Sequence, residues 1–413
     1  MCCRLIIILQ RTKLHTTYEI QDMSTFAAVM TGTGTGAIST IQIFGDSAET
    51  IIKKVFKPVS PKSVEFKTGE ILLGTICDGD KVIDQVTIGC ESPGTFAINC
   101  HGNPLIVEMI MQLLEHHGVV LLTPEQLLEK ILTAQQPANT IAIEAKLAQA
   151  KAKTLQGTKI IVNQIDAGLT QKAKGWLENI DEISLDTIKT EATQILQKSQ
   201  AAKLIIYGCT AVLTGPPNSG KSTLLNCLAG RQKAIVTDIK GTTRDWVSAR
   251  CRIGLLSVKL IDTAGLNENL LNPQNDIDES AQKKTVEILE RADIILLVLD
   301  NSQPAKEFNE QLLEKIGDKK IITVLNKSDL PSQFDAGRLP EILSNSVHIS
   351  AKEGTGIERL SEKIIKTTEA ADFDLKEPIY FTDRQEKLLK KITNIKSNHQ
   401  AASIITKLLS GRT

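Results

Sequence analysis

Eight residues in the second half of the chain, Gly215-Pro216-Pro217-Asn218-Ser219-Gly220-Lys221-Ser222, follow the pattern G-x-x-x-x-G-K-[ST]. No other stretch restricts the fold as much. The pattern has meaning only where a buried strand ends in a loop that opens a helix. The apolar run from Ala211 to Thr214 reads as that strand, and Lys221 to Leu228 as that helix. In such a setting backbone N–H groups and the helix N-terminus face an anionic phosphate chain. The two glycines let the backbone close around it. Lys221 is expected to neutralise charge on the β- and γ-phosphates, and the Ser222 hydroxyl to bind Mg²⁺. Asn218, Ser219, Gly220 and Thr223 complete the cradle.

Three further elements follow in order, each after a short apolar run. Asp262-Thr263-Ala264-Gly265 ends the run from Val258. Asp262 is expected in the magnesium shell, with the Gly265 N–H beside the γ-phosphate. Asn326-Lys327-Ser328-Asp329 follows Ile321 to Leu325. A carboxylate at Asp329 can accept both the N1–H and the exocyclic amine of guanine; adenine offers no such pair and would leave it unpaired. Ser350-Ala351-Lys352 follows Val347 to Ile349 and would set the Ala351 N–H on guanine O6. Gly241-Thr242-Thr243-Arg244-Asp245 lies between the phosphate loop and Asp262, where Thr243 is expected to close on Mg²⁺ when a γ-phosphate is present. Apolar runs alternating with helical segments over 207–372 predict a mainly parallel sheet with helices on both faces. Leu266 follows Gly265, so the Gln that orients water in Ras-like enzymes is absent. Hydrolysis then needs another water-orienting residue and another source of positive charge.

The remainder divides by character. Residues 1–22 read as a loose tail or a mis-called start, with Met23 the better initiator, and Leu5 to Leu9 is too short to span a membrane. Residues 23–122 carry strand patterns at Ile38 to Phe44, Ile71 to Ile76 and Val82 to Cys90, a hairpin turn at Asp78-Gly79-Asp80, and a helix from Pro104 to His116. They predict a small α+β domain. The Gly-rich run from Thr31 to Gly36 lacks a phosphate-loop lysine and reads as a turn. Residues 123–206 are helical in composition, with Ile143, Leu147, Ala150 and Leu155 at roughly helical spacing and a second helical stretch around Leu185 to Leu204. The last segment, 376–413, holds eight Lys/Arg against three Asp/Glu, a bias that a solvated helix face explains as well as RNA contact does. Forty-eight basic residues balance forty-eight acidic ones, and aromatic residues make up 3%, which argues against a chain that coats nucleic acid or stacks bases. None of the eight Cys forms a CxxC pair; Cys100-His101 is the one adjacent pair of potential metal ligands, and a buried thiol beside a turn is the plainer reading.

The stretch Ala234 to Asp245 and the run Asn226 to Arg231 closely resemble the MnmE (TrmE) family of tRNA-modification GTPases. Thr25 to Ala28, Gly36 to Gly45 and His101-Gly102-Asn103-Pro104 resemble that family's first domain more loosely. The resemblance implies a multidomain α/β chain: a P-loop GTPase domain (207–372) inserted in a helical domain (123–206 and 373–413), preceded by a folate-binding-like dimerisation domain. It implies hydrolysis of GTP with Mg²⁺, switched on when two GTPase domains of a homodimer meet across K⁺. Asn218 matches the family's K⁺-holding Asn, and Thr237, Ile239 and Thr242, flanking Asp238 and Gly241, fall on its K⁺ loop. The family's water-orienting carboxylate aligns with Glu279, with Asp278 its neighbouring competitor. The implied partners are tRNA, at the wobble uridine, and a flavin-dependent protein, in the cytoplasm and away from any membrane. Two departures stand out. Gln42 occupies the position of a folate-contacting Arg, against a tetrahydrofolate cofactor. The family's terminal Cys motif has no counterpart in Leu408 to Thr413, which keeps open a GTP-regulated RNA- or ribosome-binding switch protein without modification activity.

Overall fold

The computed structural model describes residues 24–32, 34, 36–59, 65–135, 139–231, 246–263, 287–304, 319–335, 337 and 339–411. They fall into two compact units, 1–137 and 138–413.

The first unit is built on a seven-stranded sheet: β1 (Phe26–Val29), β2 (Ile38–Phe44), β3 (Phe56–Pro58), β4 (Ile71–Asp78), β5 (Lys81–Ser92), β6 (Thr95–His101) and β7 (Val120–Leu121). The order is β3-β4-β5-β6-β2-β1-β7. All pairs are antiparallel except β1 with β7. Alternation explains its two faces: Ile41 and Ile43 are fully buried, while their neighbours Thr40 and Gln42 point the other way. The buried face carries α1 (Ala48–Val55) and α2 (Pro104–His116), whose Ile52, Ile110 and Leu114 join Ile76, Val86, Ile88 and Ile98 in one core. Asn103 caps α2 by accepting from the Leu105 N–H at 2.9 Å, with Pro104 in the first turn. The β4–β5 turn falls at the expected place: Asp78 pairs with Lys81, and Gly79 takes φ 58°. A third helix, α3 (Pro124–Gln135), belongs to this unit and lays Leu127 and Ile131 against Ala28 of β1.

The second unit holds a six-stranded sheet of β8 (Cys209–Thr214), β9 (Trp246–Ile253), β10 (Leu256–Thr263), β11 (Ile294–Asp300), β12 (Lys320–Asn326) and β13 (Ser346–His348). The order is β13-β12-β11-β8-β10-β9, parallel except for the edge strand β9. β11 reads IILLVLD, with its first six residues all buried, as a strand covered on both faces must. Helices α4 (Thr140–Gln149), α5 (Leu155–Asp166), α6 (Gly168–Glu178) and α7 (Leu185–Tyr207) precede the sheet, α8 (Lys221–Arg231) follows β8, and α9 (Ile357–Thr367), α10 (Asp383–Ile392) and α11 (Asn398–Ser410) close the chain.

The helical stretch around Ile143 to Leu155 divides into two helices, α4 and α5. The Thr154 hydroxyl accepts from the Gly157 N–H at 2.8 Å and donates to the Ile205 carbonyl at 2.7 Å, so it caps a new helix and ties it to α7. A Cβ on Gly157 would stand 2.7 Å from the Ile206 Cα, so glycine is what allows that close approach.

Helices α10 and α11 pack against α4, α6 and α7. Arg384 makes a two-pronged pair with Glu144, both bonds 2.7 Å, and also donates to the last carbonyls of α11 at Lys407 and Leu408. The extended stretch before α10 is pinned by Gln164. Its amide donates to the Glu377 carbonyl at 3.0 Å and accepts from the Ile379 and Leu169 N–H groups at 3.1 and 2.8 Å.

Candidate nucleotide-binding site

Parallel strands end level with one another, so the loops that leave them gather along one edge. Asp262 of β10 pairs with Leu213 of β8, and Asp300 of β11 with Asn326 of β12. The loops after β8 and β12, and the one just past β13, therefore come together beside the end of β10.

The phosphate loop owes its shape to three left-handed residues: Gly215 (φ 140°), Asn218 (φ 61°) and Gly220 (φ 92°). Two of these must be glycine. A Cβ at Gly215 would lie 2.1 Å from the Val298 carbonyl, and one at Gly220 would lie 2.2 Å from Asn326 Nδ2. Asn is among the few other side chains that enter this region readily. Lys221 is almost fully buried at the start of α8 and donates to the Gly215 and Pro216 carbonyls at 3.0 and 2.8 Å. Burial pulls its pKa down, and the nearby Asp262 carboxylate partly opposes that. A buried ammonium held only by carbonyls awaits an anion.

The Ser222 hydroxyl donates to Asp262 Oδ2 at 2.5 Å. Asp262 Oδ1, Ser219 Oγ and Thr214 Oγ1 are buried with no hydrogen-bond partner among the described residues. Buried oxygens without partners are rare and call for an explanation. Ser222 and Asp262 put two hard oxygen ligands side by side, one with a free lone pair, a donor set that suits Mg²⁺. Thr263 ends β10, paired with Trp246. Thr223 lies in the first turn of α8.

Asn326 ties three loops together. Its Nδ2 donates to the Ser219 carbonyl at 2.8 Å, and its Oδ1 accepts from the Ala351 N–H at 2.9 Å. The Ala351 amide expected on guanine O6 thus has Asn326 as its partner here. Asp329 stays open to solvent. The Ser350 hydroxyl, buried beneath it, hydrogen-bonds its carboxyl and with the loop's own N–H groups holds its pKa below the usual range, helped by the charges of Lys352 and Lys327. Lys327 adopts φ 64° and pairs with Asp300 at 2.7 Å. Asp300 was not among the residues singled out from sequence; an Asp-Asn-Ser turn closing a buried strand is the signal that marks it.

The other expected site residues, Thr237, Asp238, Ile239, Gly241, Thr242, Thr243, Ala264, Gly265, Asp278 and Glu279, lie outside the described residues. In the first unit Gln42 donates to Glu91 at 2.6 Å, so that position offers no cation to an anionic cofactor such as a folate. Cys100 and His101 do not form a metal pair. The Cys100 thiol donates to the Ser39 carbonyl, and burial raises its pKa to about 11. His101 Nδ1 instead meets Asp84 at 2.7 Å. No helix among the described residues is long and apolar enough to cross a membrane.

A glycine-shaped phosphate loop, a buried lysine, a serine–aspartate pair and an exposed carboxylate on the base-side loop define a P-loop GTPase, an enzyme that hydrolyses GTP. Residues 210–327 match the family model for 50S ribosome-binding GTPases, and residues 25–125 the one for the GTP-binding protein TrmE N-terminus. The tRNA modification GTPase MnmE of Clostridioides difficile is 29% identical over 375 residues, covering 82% of this chain and 81% of that protein. Those of Lactiplantibacillus plantarum (30% identical, 84% and 81%) and Lacticaseibacillus paracasei (31% identical, 84% and 82%) are similar throughout the same span. The chain belongs to the MnmE family of tRNA modification GTPases.

Proposed function

We propose that this GTPase acts in tRNA modification at the wobble uridine, in the cytoplasm, alongside a flavin-dependent partner protein. The observation that carries the reading is the pairing, in one chain, of a TrmE-type N-terminal unit with a GTPase domain. Lys221 steadies the β/γ-phosphate charge, and Asp329 with the Ala351 loop reads guanine. Ser222 and Asp262, joined by Thr243, would hold Mg²⁺, which when bound supplies charge neutralisation to the phosphates.

Positive charge near the β/γ bridge would come from K⁺, held by Asn218 with Thr237, Ile239 and Thr242 when two copies dimerise. Glu279 would orient the attacking water, with Asp278 the competitor. The GTPase domain, 207–372, is read as an insertion between the two parts of a helical domain, 123–206 and 373–413. The Arg384–Glu144 pair and the Gln164 contacts to the 377–379 stretch support that reading.

Two measurements test it. Turnover of GTP should be several-fold faster in K⁺ than in Na⁺ buffer, and equal rates would remove the K⁺ assignment. Cells lacking the gene should lose wobble-uridine modification of tRNA; unchanged modification would remove the tRNA role and leave the hydrolase.

A further inference from the structure

The end of β11 does more than close a strand. Its last residue, Asp300, sits in register with Asn326, and the turn that follows wraps the base-side loop. The Asn301 N–H donates to the Asn326 carbonyl at 2.8 Å. The Asn301 carbonyl accepts from the Gln333 and Phe334 N–H groups at 3.0 and 3.2 Å, so the segment beyond Asp329 is held by the same turn. Both oxygens of Asp300 are engaged. Oδ1 accepts from the Ser302 N–H and hydroxyl at 2.9 and 2.7 Å, and Oδ2 takes the Lys327 ammonium at 2.7 Å.

Lys327 is in the left-handed region at φ 64°, which for a non-glycine residue costs on the order of 1 kcal/mol unless the surroundings impose it. Its ammonium can serve either of two carboxylates. One is Asp300; the other is Asp329, two residues on, which already feels the Lys327 charge. Asp329 must present free lone pairs to the N–H donors of guanine. An ammonium seated on it would compete for those lone pairs. While Asp300 holds the charged end, Asp329 stays open, and the methylene stem of Lys327 remains available to lie along the apolar face of a base.

We propose that Asp300 is a positioning residue for guanine recognition: it keeps Lys327 off Asp329 and fixes the loop that meets the base. The proposal rests on Asp329 reading guanine. Asp300→Asn tests it, because Asn can still accept from Ser302 but cannot hold an ammonium by charge. Release of a fluorescent GDP analogue should be about tenfold faster, the KM for GTP should rise by a similar factor and kcat should stay within about twofold.

The same change made in a Lys327→Met background should have little effect on release, since the two residues act as a pair. The unfolding midpoint of the nucleotide-free protein shows whether the turn itself has survived. Release within twofold of wild type, or an equal loss in both backgrounds, overturns the proposal while leaving the base reading intact. Asp329→Asn separates the two claims. If it brings no gain in xanthine-nucleotide binding, the base reading fails and this proposal with it.

Discussion

Two buried polar clusters in the second unit are finished to different degrees. Among the described residues of α4 to α7, α10 and α11, the buried side-chain oxygens and nitrogens have their partners. Gln164 uses both ends of its amide, Ser199 donates to the Ile195 carbonyl and accepts from the Tyr380 N–H, and Gln385 joins Glu144 to the Phe381 N–H. Around the phosphate loop, Thr214, Ser219 and Asp262 each keep a buried oxygen without one among the described residues, and the buried Lys221 ammonium hydrogen-bonds two carbonyls, with burial outweighing the pull of the Asp262 carboxylate. The fourth such oxygen among the described residues, Thr25 Oγ1, belongs to the first unit, and nothing in the structure explains it. A satisfied network rigidifies a fold. An unsatisfied one marks where a ligand completes the structure, and its cost is carried by the rest of the domain.

The largest expected effect comes from the unsatisfied side. Lys221→Met should lower GTP turnover by about 10²–10³-fold, the scale of losing one group that stabilises transition-state charge. It should not destabilise the nucleotide-free protein, because burying the Lys221 charge costs more than the nearby Asp262 carboxylate returns. Steady-state turnover and thermal unfolding on one sample check both halves. A clear drop in the unfolding midpoint would mean that Lys221 supports the fold, and the contrast between the clusters would fail. Asp262→Asn should behave alike on a smaller scale. Turnover falls by roughly 10²-fold through weaker Mg²⁺ binding, the Ser222 hydrogen bond survives on the amide oxygen, and the unfolding midpoint holds or rises. Raising Mg²⁺ should recover part of the lost rate.

How much of this could be read from sequence follows the same division. The phosphate-loop pattern, the aspartate ending β10 and the base-side loops are local. Each needs only a strand end and a few consecutive residues, so Ser222, Asp262, Asn326 and Asp329 were legible before any fold was known. Register then brought Ser222 to Asp262 across 40 residues. The helical network was not legible. Gln164 meets Ile379 across 215 residues and Glu144 meets Arg384 across 240, and no spacing rule links such pairs. Asp300 falls between: its turn chemistry is local, but its tie to Lys327 exists only because β11 and β12 are neighbours. The break before Thr154 is not visible in the apolar spacing, which runs on through it; the cap and the close approach of Gly157 to α7 decide there.

On the satisfied side the expected signs reverse. Gln164→Leu leaves the Leu169 and Ile379 N–H groups buried with no acceptor. At about 1–3 kcal/mol for each such loss, the fold should give up roughly 2–6 kcal/mol in denaturant unfolding. Turnover per folded molecule should be unchanged, since no atom of Gln164 is among those that face the nucleotide. A variant that lost rate but kept stability would show that the helices couple to the site in a way their contacts do not suggest.

The smallest effect concerns Glu191, half-buried on α7. Burial pushes its carboxyl up, but the hydrogen bonds from Lys172 and Trp176, at 2.7 and 2.6 Å, outweigh that, and its pKa lies below the ordinary value of 4.5. A carboxyl with a depressed folded pKa adds stability above its unfolded pKa and loses it as pH falls through the folded one. Glu191→Gln should therefore cost a little at neutral pH, under about 1 kcal/mol for a pair that solvent reaches, and nothing once the wild-type carboxyl is protonated. Unfolding curves of the two proteins should stand apart above the ordinary value of 4.5 and converge only as pH falls below it, through the depressed folded pKa of the wild-type carboxyl. Curves that stayed apart in acid would assign the loss to Trp176 packing rather than to charge, and the helical network would then owe its stability to shape more than to paired polar groups.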